Sequence, residues 1–207
     1  MKAPLLILCI IVGLSSSCEN ETYGPYIAPP IFTASWPCEN GIADIYPCGG
    51  YDLMSYLSLQ DLTPEGVNNG SISGNDSWGW TDPNTNKEYA LVGLSSHAAF
   101  VDISDPSLPF LLGVLPTATV NSSWRDIKVY QNHAFIVSEA PGHGMQVFDL
   151  TRLRDVTAAP ELFTADTHFT DFGSAHNIVI NESSGYAYVV GTNRNGPFSG
   201  GALFINI

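Results

Sequence analysis

Residues 123–150 read SWRDIKVYQNHAFIVSEAPGHGMQVFDL and contain three short runs of apolar residues. The runs are rich in valine, isoleucine and phenylalanine and lie within 123–129, 133–137 and 145–150. Turn-forming residues separate them, with Asn132 at the first break and Pro141 followed by two glycines at the second. This composition predicts three consecutive antiparallel β-strands.

The same pattern occurs on both sides of this stretch. It is found upstream at 77–80, 89–93 and 99–103, and downstream at 175–180, 186–190 and 202–207. A fourth apolar run follows the first two units, at 109–115 and 161–164. Equivalent alanines at 90, 134 and 187 are 44 and 53 residues apart. Four short strands that recur at this period are typical of a β-propeller blade.

We therefore expect an all-β protein, a β-propeller of four-stranded antiparallel blades at 75–115 and 121–164 with a partial blade at 174–207. An immunoglobulin-like sandwich is the main alternative, but it gives no reason for a repeat inside one domain. Propellers have about 4 to 8 blades, so we expect an incomplete ring in a C-terminally truncated chain. Residues 51–66 are predicted to supply a closing strand of that ring, or else a short capping helix.

The N-terminus has the features of a secretory signal peptide at 1–17. Lys2 precedes an apolar run from 5 to 14, and three serines then lead to Cys18. The run is too short to span a bilayer, which takes about 20 residues. We expect an extracytoplasmic protein, secreted or held at the cell surface or outer membrane by a lipid on Cys18. Cleavage after Ser17, which would leave a free thiol, is the alternative.

Residues 18–50 are predicted to form a tether that contains a disulfide. Cys9 is lost with the signal peptide and Cys18 is acylated in this interpretation, which leaves Cys38 and Cys48 as an even pair in an oxidising compartment. On the chain-entropy estimate, their bond would stabilise the segment by about 2 to 3 kcal/mol.

The charge of the chain argues against one class of partner. Seven Lys and Arg against 20 Asp and Glu give a formal charge of −13, and the bases are scattered. No basic patch is available to neutralise phosphates, so nucleic acid is not an expected partner. A protein or a glycan is an expected partner. Contact with a membrane would come only through the lipid anchor.

Six segments resemble the choice-of-anchor B family, whose members carry LVIVD-type repeats. They are DSWGWTDP (76–83), EYALVG (88–93), AFVDISDP (99–106), SWRDIKVY (123–130), GHGMQVFDL (142–150) and SAHNIVIN (174–181). The resemblance covers roughly residues 38–207. It implies a secreted or surface-anchored β-propeller of no settled biochemical function, and members of the family extend well beyond this C-terminus.

The polar residues of the repeats are expected to meet on one face of the ring, where the loop entering each blade lies beside the loop between its second and third strands. The ligand-binding candidates there are Trp124, Arg125, Asp126, Glu139, His143, His176, Asn177 and Arg194.

Structural roles remain open for these candidates. Arg125 and Asp126 could pair with the neighbouring blade, and His176 with Asn177 could cap a turn. The glycines on both sides of His143 suggest either a conformational role or a ligand-facing imidazole. Tryptophans 78, 80 and 124 recur at blade entry, where packing between blades is favoured over sugar stacking.

No cofactor is expected, although His176 or His143 with Asp126 or Glu139 could share a divalent metal ion. The 82–88 stretch resembles a calcium loop but lacks its glycine and its bidentate glutamate, so it predicts a hairpin turn. No nucleophile elbow, phosphate loop or dinucleotide fingerprint occurs. The sequence favours a non-catalytic binding module, with a hydrolase or lyase at the channel mouth as the alternative.

Overall fold

A computed structural model describes residues 35–67, 70–192, 198 and 200–207. Within these ranges the protein is built of short strands and one 3₁₀ helix, Leu150–Asp155. The strands are β1 (Ile42–Ala43), β2 (Tyr46–Pro47), β3 (Gly74–Thr81), β4 (Glu88–Leu94), β5 (His97–Asp102), β6 (Phe110–Pro116), β7 (Arg125–Tyr130), β8 (His133–Ser138), β9 (Met145–Asp149), β10 (Glu161–Leu162), β11 (Thr167–Phe169), β12 (Asn177–Asn181), β13 (Tyr186–Val190) and β14 (Leu203–Asn206).

Three sheets follow one another along the chain, as the repeats predict. The first has the order β3-β4-β5-β6, with β10 added beside β6. The second has the order β7-β8-β9-β11, and the third β12-β13-β14. Neighbouring strands are antiparallel except at β10, and none of the sheets closes on itself. The predicted all-β class is confirmed, and this architecture is compatible with a partial β-propeller.

Each predicted hairpin forms through the turn chemistry of its loop. Between β3 and β4, Asp82 accepts hydrogen bonds from Asn84 N at 2.9 Å and from Thr85 Oγ1 at 2.8 Å, and Asn86 has a positive φ of 56°. The 82–88 stretch is therefore a hairpin turn, as predicted. Between β7 and β8, Asn132 also adopts a positive φ, of 62°, which asparagine tolerates better than most residues.

The sheets stack through alternating side chains. One core lies between the first and second sheets and includes Leu91, Phe100, Ile136 and Phe148. A second core joins the second and third sheets through residues such as Val137 and Ile178. Because successive side chains of a strand point to opposite faces, the middle sheet supplies both cores. The innermost strand β7 lies beside β3 on one side and β12 on the other.

Residues 51–66 form neither the predicted strand nor a helix. Their one β-bridge joins Leu53 to Trp36, and turns follow, in which Ser58 N donates to Asp61 Oδ2 at 2.8 Å. The leucines of this segment pack against the face of the first sheet that points away from the second, with Leu62 buried and Leu57 partly buried. Their apolar pattern reflects this covering role.

The run at 161–164 does not complete the second sheet. Leu162 in β10 pairs in parallel with Val114 of β6, and Phe163 N donates to Val114 O at 2.9 Å. Close approach is possible because residue 113 is glycine: a β-carbon there would lie 2.4 Å from Glu161 O. The second sheet is completed instead by β11, antiparallel to β9.

Cys38 and Cys48 form the predicted disulfide, with their Cα atoms 5.9 Å apart, around the small β1–β2 hairpin. Cys18 and the predicted signal peptide lie outside the described residues. No helix in the part of the chain that the structure describes is long and apolar enough to cross a bilayer.

Candidate functional site

The loops that enter the sheets lie against the loops between their second and third strands. Trp124 O, before β7, accepts hydrogen bonds from Ser138 Oγ at 2.9 Å and from Glu139 N at 3.1 Å. In the third sheet, His176 N donates to Val190 O at 3.0 Å. These bonds bring the entry residues and the inter-strand loops together on one face of the molecule.

An open cavity of about 690 Å³ lies on this face, between the second and third sheets. Among the residues whose positions are described, Glu139, Ser174, His176 and Thr192 line it with polar side chains. The volume falls within the range of roughly 300–1,000 Å³ that is usual for small-molecule sites. The loops of two neighbouring sheets therefore combine to form one recess.

Trp124 stands beside this cavity with 52% of its surface exposed. Its ring centroid lies 5.9 Å from that of His176, with the two planes tilted by 50°. His176 Nδ1 in turn pairs with Glu139 Oε1. The structure thus brings together three predicted site residues from two sheets.

Gly191 allows the end of β13 to pass close to His176. It has a positive φ of 67°, and a β-carbon at this position would lie 2.5 Å from His176 Cβ. A larger residue would displace the imidazole from Glu139. The sequence did not identify three of the lining residues, Ser174, Gly191 and Thr192. The position of Gly191 directly after an apolar strand could have indicated a close approach of the backbone there.

Arg125 and His143 also meet, but away from the cavity and out of contact with solvent. Arg125 is 1% exposed and His143 is fully buried. Arg125 Nε donates to Leu94 O at 3.0 Å, and its Nη1 donates to His143 Nε2 at 2.9 Å. His143 Nδ1 then donates to Gly144 O at 3.0 Å. The bond from Arg125 fixes the neutral tautomer of the imidazole that carries its proton on Nδ1.

Burial governs the protonation of this pair. It lowers the pKa of His143 to about 4, and the charge of Arg125 acts in the same direction. Burial also lowers the pKa of Arg125, to about 10. At neutral pH the guanidinium is therefore charged and the imidazole is neutral, which lets the imidazole accept the hydrogen bond. The ligand-binding role predicted for these two residues stays a prediction.

Asp126 faces the opposite neighbour and joins the second sheet to the third. Its Oδ2 accepts a hydrogen bond from Ile178 N at 2.7 Å and one from Asn177 Nδ2 at 3.3 Å. Lys128 Nζ donates to Oδ1 of the same carboxylate. Asp126 and Asn177 are thus bonded to each other at the junction of the sheets.

The junction between the first and second sheets has the same form. Asp76 Oδ2 accepts a hydrogen bond from Ile127 N at 2.9 Å. Burial raises the pKa of Asp76, and the Asp126 carboxyl raises it further. Burial acts to raise the pKa of Asp126 too, but hydrogen bonds from Asp76, Lys128 and Ile178 outweigh it and lower this pKa. Acid therefore protonates Asp76 first.

The repeated aspartate shows how the inner strands correspond. Asp76 is the equivalent of Asp126, so Trp78 corresponds to Lys128 and not to Trp124. Trp80 is buried and stacks on Tyr89. Trp78 is exposed, and Lys128 Nζ lies 4.6 Å from the centroid of its ring. The expectation that the three tryptophans pack between blades is correct for Trp80 and wrong for the two exposed ones.

Two expectations remain, the role of Arg194 and a shared metal ion. Arg194 lies outside the described residues. Among the residues with described positions, no three His, Cys, Asp or Glu side chains are grouped so that they could hold a metal ion.

Comparison with known families identifies a repeat in the first sheet. The sequence model of the LVIVD repeat matches residues 88–117, which contain β4, β5 and β6 of the first sheet. No curated protein and no solved structure matches the chain. The match falls on a repeat unit whose neighbours have the same strand order, so the chain carries an LVIVD repeat and has the organisation of a β-propeller repeat protein.

Proposed function

We propose that this protein is a non-catalytic binding module of the extracytoplasmic space. The observation that carries the proposal is the exposed indole of Trp124 beside the open cavity between the second and third sheets. Exposed aromatic side chains next to concave surfaces commonly act as binding anchors. The ligand contacts Trp124, Glu139 and His176 in this proposal.

Binding is favoured over catalysis because of how the ionisable groups are used. Arg125 and His143 are buried against each other, and a reacting group would have no route to them. Asp126 is held by the bonds that join two sheets. The pair Glu139–His176 reaches the cavity, and it is suited to recognising hydroxyl or amide groups.

The Cys38–Cys48 disulfide supports the location, since disulfides persist mainly in oxidising compartments. Together with the signal peptide predicted from the sequence, it supports a secreted protein or one anchored through a lipid on Cys18. The finer assignment to the choice-of-anchor B family is part of this proposal and rests on the sequence resemblance.

The test uses labelled full-length protein and isolated cell envelopes from the source organism. Wild-type protein should bind the envelopes saturably, and Trp124→Ala should weaken binding about tenfold or more. Phe110→Ala is the matched control, because Phe110 is another half-exposed aromatic residue, on β6. Equal binding by Trp124→Ala and wild type would refute the proposed site, and release of low-molecular-weight products from the envelopes would favour the enzyme alternative.

A further inference from the structure

The cavity beside Trp124 combines an aromatic surface with hydrogen-bonding groups at its base, and this combination narrows the choice of ligand. We propose that it binds a neutral oligosaccharide. The inference rests on the proposed function and names the ligand class for the same site.

Hydrogen bonds hold the backbone of Trp124 in a defined position, and its indole contacts a neighbouring ring. Trp124 N donates to Ser122 Oγ at 3.2 Å, and Trp124 O accepts the two bonds from Ser138 and Glu139. The imidazole of His176 lies against one side of the ring. A half-exposed indole offers an apolar surface, and the C–H face of a pyranose can stack on it.

The polar groups at the base suit hydroxyls. Because Glu139 Oε1 pairs with His176 Nδ1, each side chain has a second polar atom, Oε2 and Nε2, that bonds no described residue. A hydroxyl both donates and accepts hydrogen bonds, so adjacent sugar hydroxyls could use the two atoms together. Ser174 and Thr192 line the same recess.

Charge argues for a neutral glycan. The chain carries a formal charge of −13, and the Glu139 carboxylate lines the cavity. Phosphorylated, sulfated and uronic-acid ligands would meet repulsion there.

A glycan also fits this surface better than a protein partner does. Protein interfaces place their aromatic anchors within a well-packed patch of about 800 Å² on each side. At this site the indole of Trp124 contacts His176, which lines a recess together with the polar side chains of Glu139, Ser174 and Thr192. The arrangement resembles a small-ligand site more closely than the centre of a protein interface.

The experiment titrates purified full-length protein with neutral hexasaccharides of the β-1,4-glucan, mannan, xylan and chitin types, with oligogalacturonate as the anionic control. At least one neutral probe should bind, and binding should quench tryptophan fluorescence. Trp124→Ala should weaken that binding about tenfold or more, Trp124→Phe should retain part of it, and Phe110→Ala should leave it unchanged. Glu139→Gln should weaken it less than Trp124→Ala does, because one hydrogen-bond acceptor is kept.

The outcomes separate this inference from the proposed function. If envelope binding depends on Trp124 but no neutral hexasaccharide binds, and protease treatment of the envelopes abolishes the binding, the partner is a protein and the glycan inference is overturned while the proposed function stands. Preference for oligogalacturonate would also overturn it. If neither envelopes nor glycans distinguish Trp124→Ala from wild type, the proposed function itself fails.

Discussion

Replacing Asp126 with alanine should loosen the junction between the second and third sheets. The carboxylate is buried and accepts the hydrogen bond from Ile178 N at 2.7 Å. A hydrogen bond to a charged acceptor contributes roughly 1.5–3 kcal/mol, and leaving the Ile178 amide buried and unpaired costs about 1–3 kcal/mol. In this variant Lys128 Nζ keeps its contacts with Ile127 O at 2.9 Å and with Asp76 Oδ2 at 3.6 Å. These contacts limit the free energy lost when the lysine no longer pairs with Asp126. We expect a destabilisation of about 3 kcal/mol.

Urea unfolding at pH 7, followed by fluorescence and circular dichroism, measures this loss. Asp105→Ala is the matched control, since Asp105 is exposed and its carboxylate accepts its hydrogen bonds from Ser107 within the same turn. The control should cost much less stability than Asp126→Ala does, because its carboxylate is exposed to solvent.

Hydrogen exchange tests the location of the effect. Asp126→Ala should speed exchange of the Ile178 amide and leave that of Ile127 protected, because Asp76 holds the latter. Asp76→Ala should do the reverse. The reasoning is refuted if Asp126→Ala costs no more stability than Asp105→Ala, or if both amides respond equally to both substitutions.

Two further predictions concern pH and the lipid anchor. Burial holds the pKa of His143 at about 4 against an ordinary value of 6.5, so the unfolded chain binds more protons between these values and stability falls as pH decreases from about 6.5 to 4. The full loss of unfolding free energy is about 3 kcal/mol. The urea midpoint should therefore fall less steeply with decreasing pH in His143→Gln than in wild type. Equal pH dependence in the two proteins would contradict a buried, neutral His143. Cys18→Ser should release the protein from membrane fractions and abolish incorporation of labelled fatty acid, whereas a wild-type chain that never takes up the label would show that Cys18 is not lipidated.

The fold could be predicted because its signals are local. Ala90, Ala134 and Ala187 each lie in the second strand of a sheet, as the repeat spacing requires. Turn residues such as Asn132 mark hairpins through backbone conformations that few residues adopt. Strand periodicity and turn chemistry both operate within a few residues, so one sequence is enough to detect them.

Features that depend on distant contacts could not be predicted. Residues 51–66 have the apolar pattern of a strand. Their leucines pack instead against the open face of the first sheet, a contact that a linear pattern does not reveal. Leu162 pairs with β6 of the first sheet, a contact between sheets that the close approach at Gly113 permits. Aligning the repeats on Trp78 and Trp124, and not on Asp76 and Asp126, also shifted the expected correspondence of the inner strands by four residues.

The candidate site was predicted in outline, since Trp124, Glu139 and His176 do lie together. The sequence did not distinguish them from Arg125 and His143, because burial is a property of the packed sheets. A charged residue at the start of a strand has the same appearance in the sequence whether it faces solvent or the next sheet.

Three consecutive residues at the entry to β7 explain why that distinction matters. Trp124 precedes the strand and points to solvent, Arg125 contacts the first sheet through Leu94 O, and Asp126 contacts the third through Ile178 N. The strand period of two sends the last two side chains to opposite faces, so each reaches a different neighbour. Substitutions at Arg125 or Asp126 should therefore disturb the junctions that position the cavity, and so weaken the proposed binding through the packing of the sheets. The Trp124 side chain is half exposed and contacts the third sheet through His176, so the binding of Trp124→Ala is compared with that of wild type only after its free energy of unfolding has been measured.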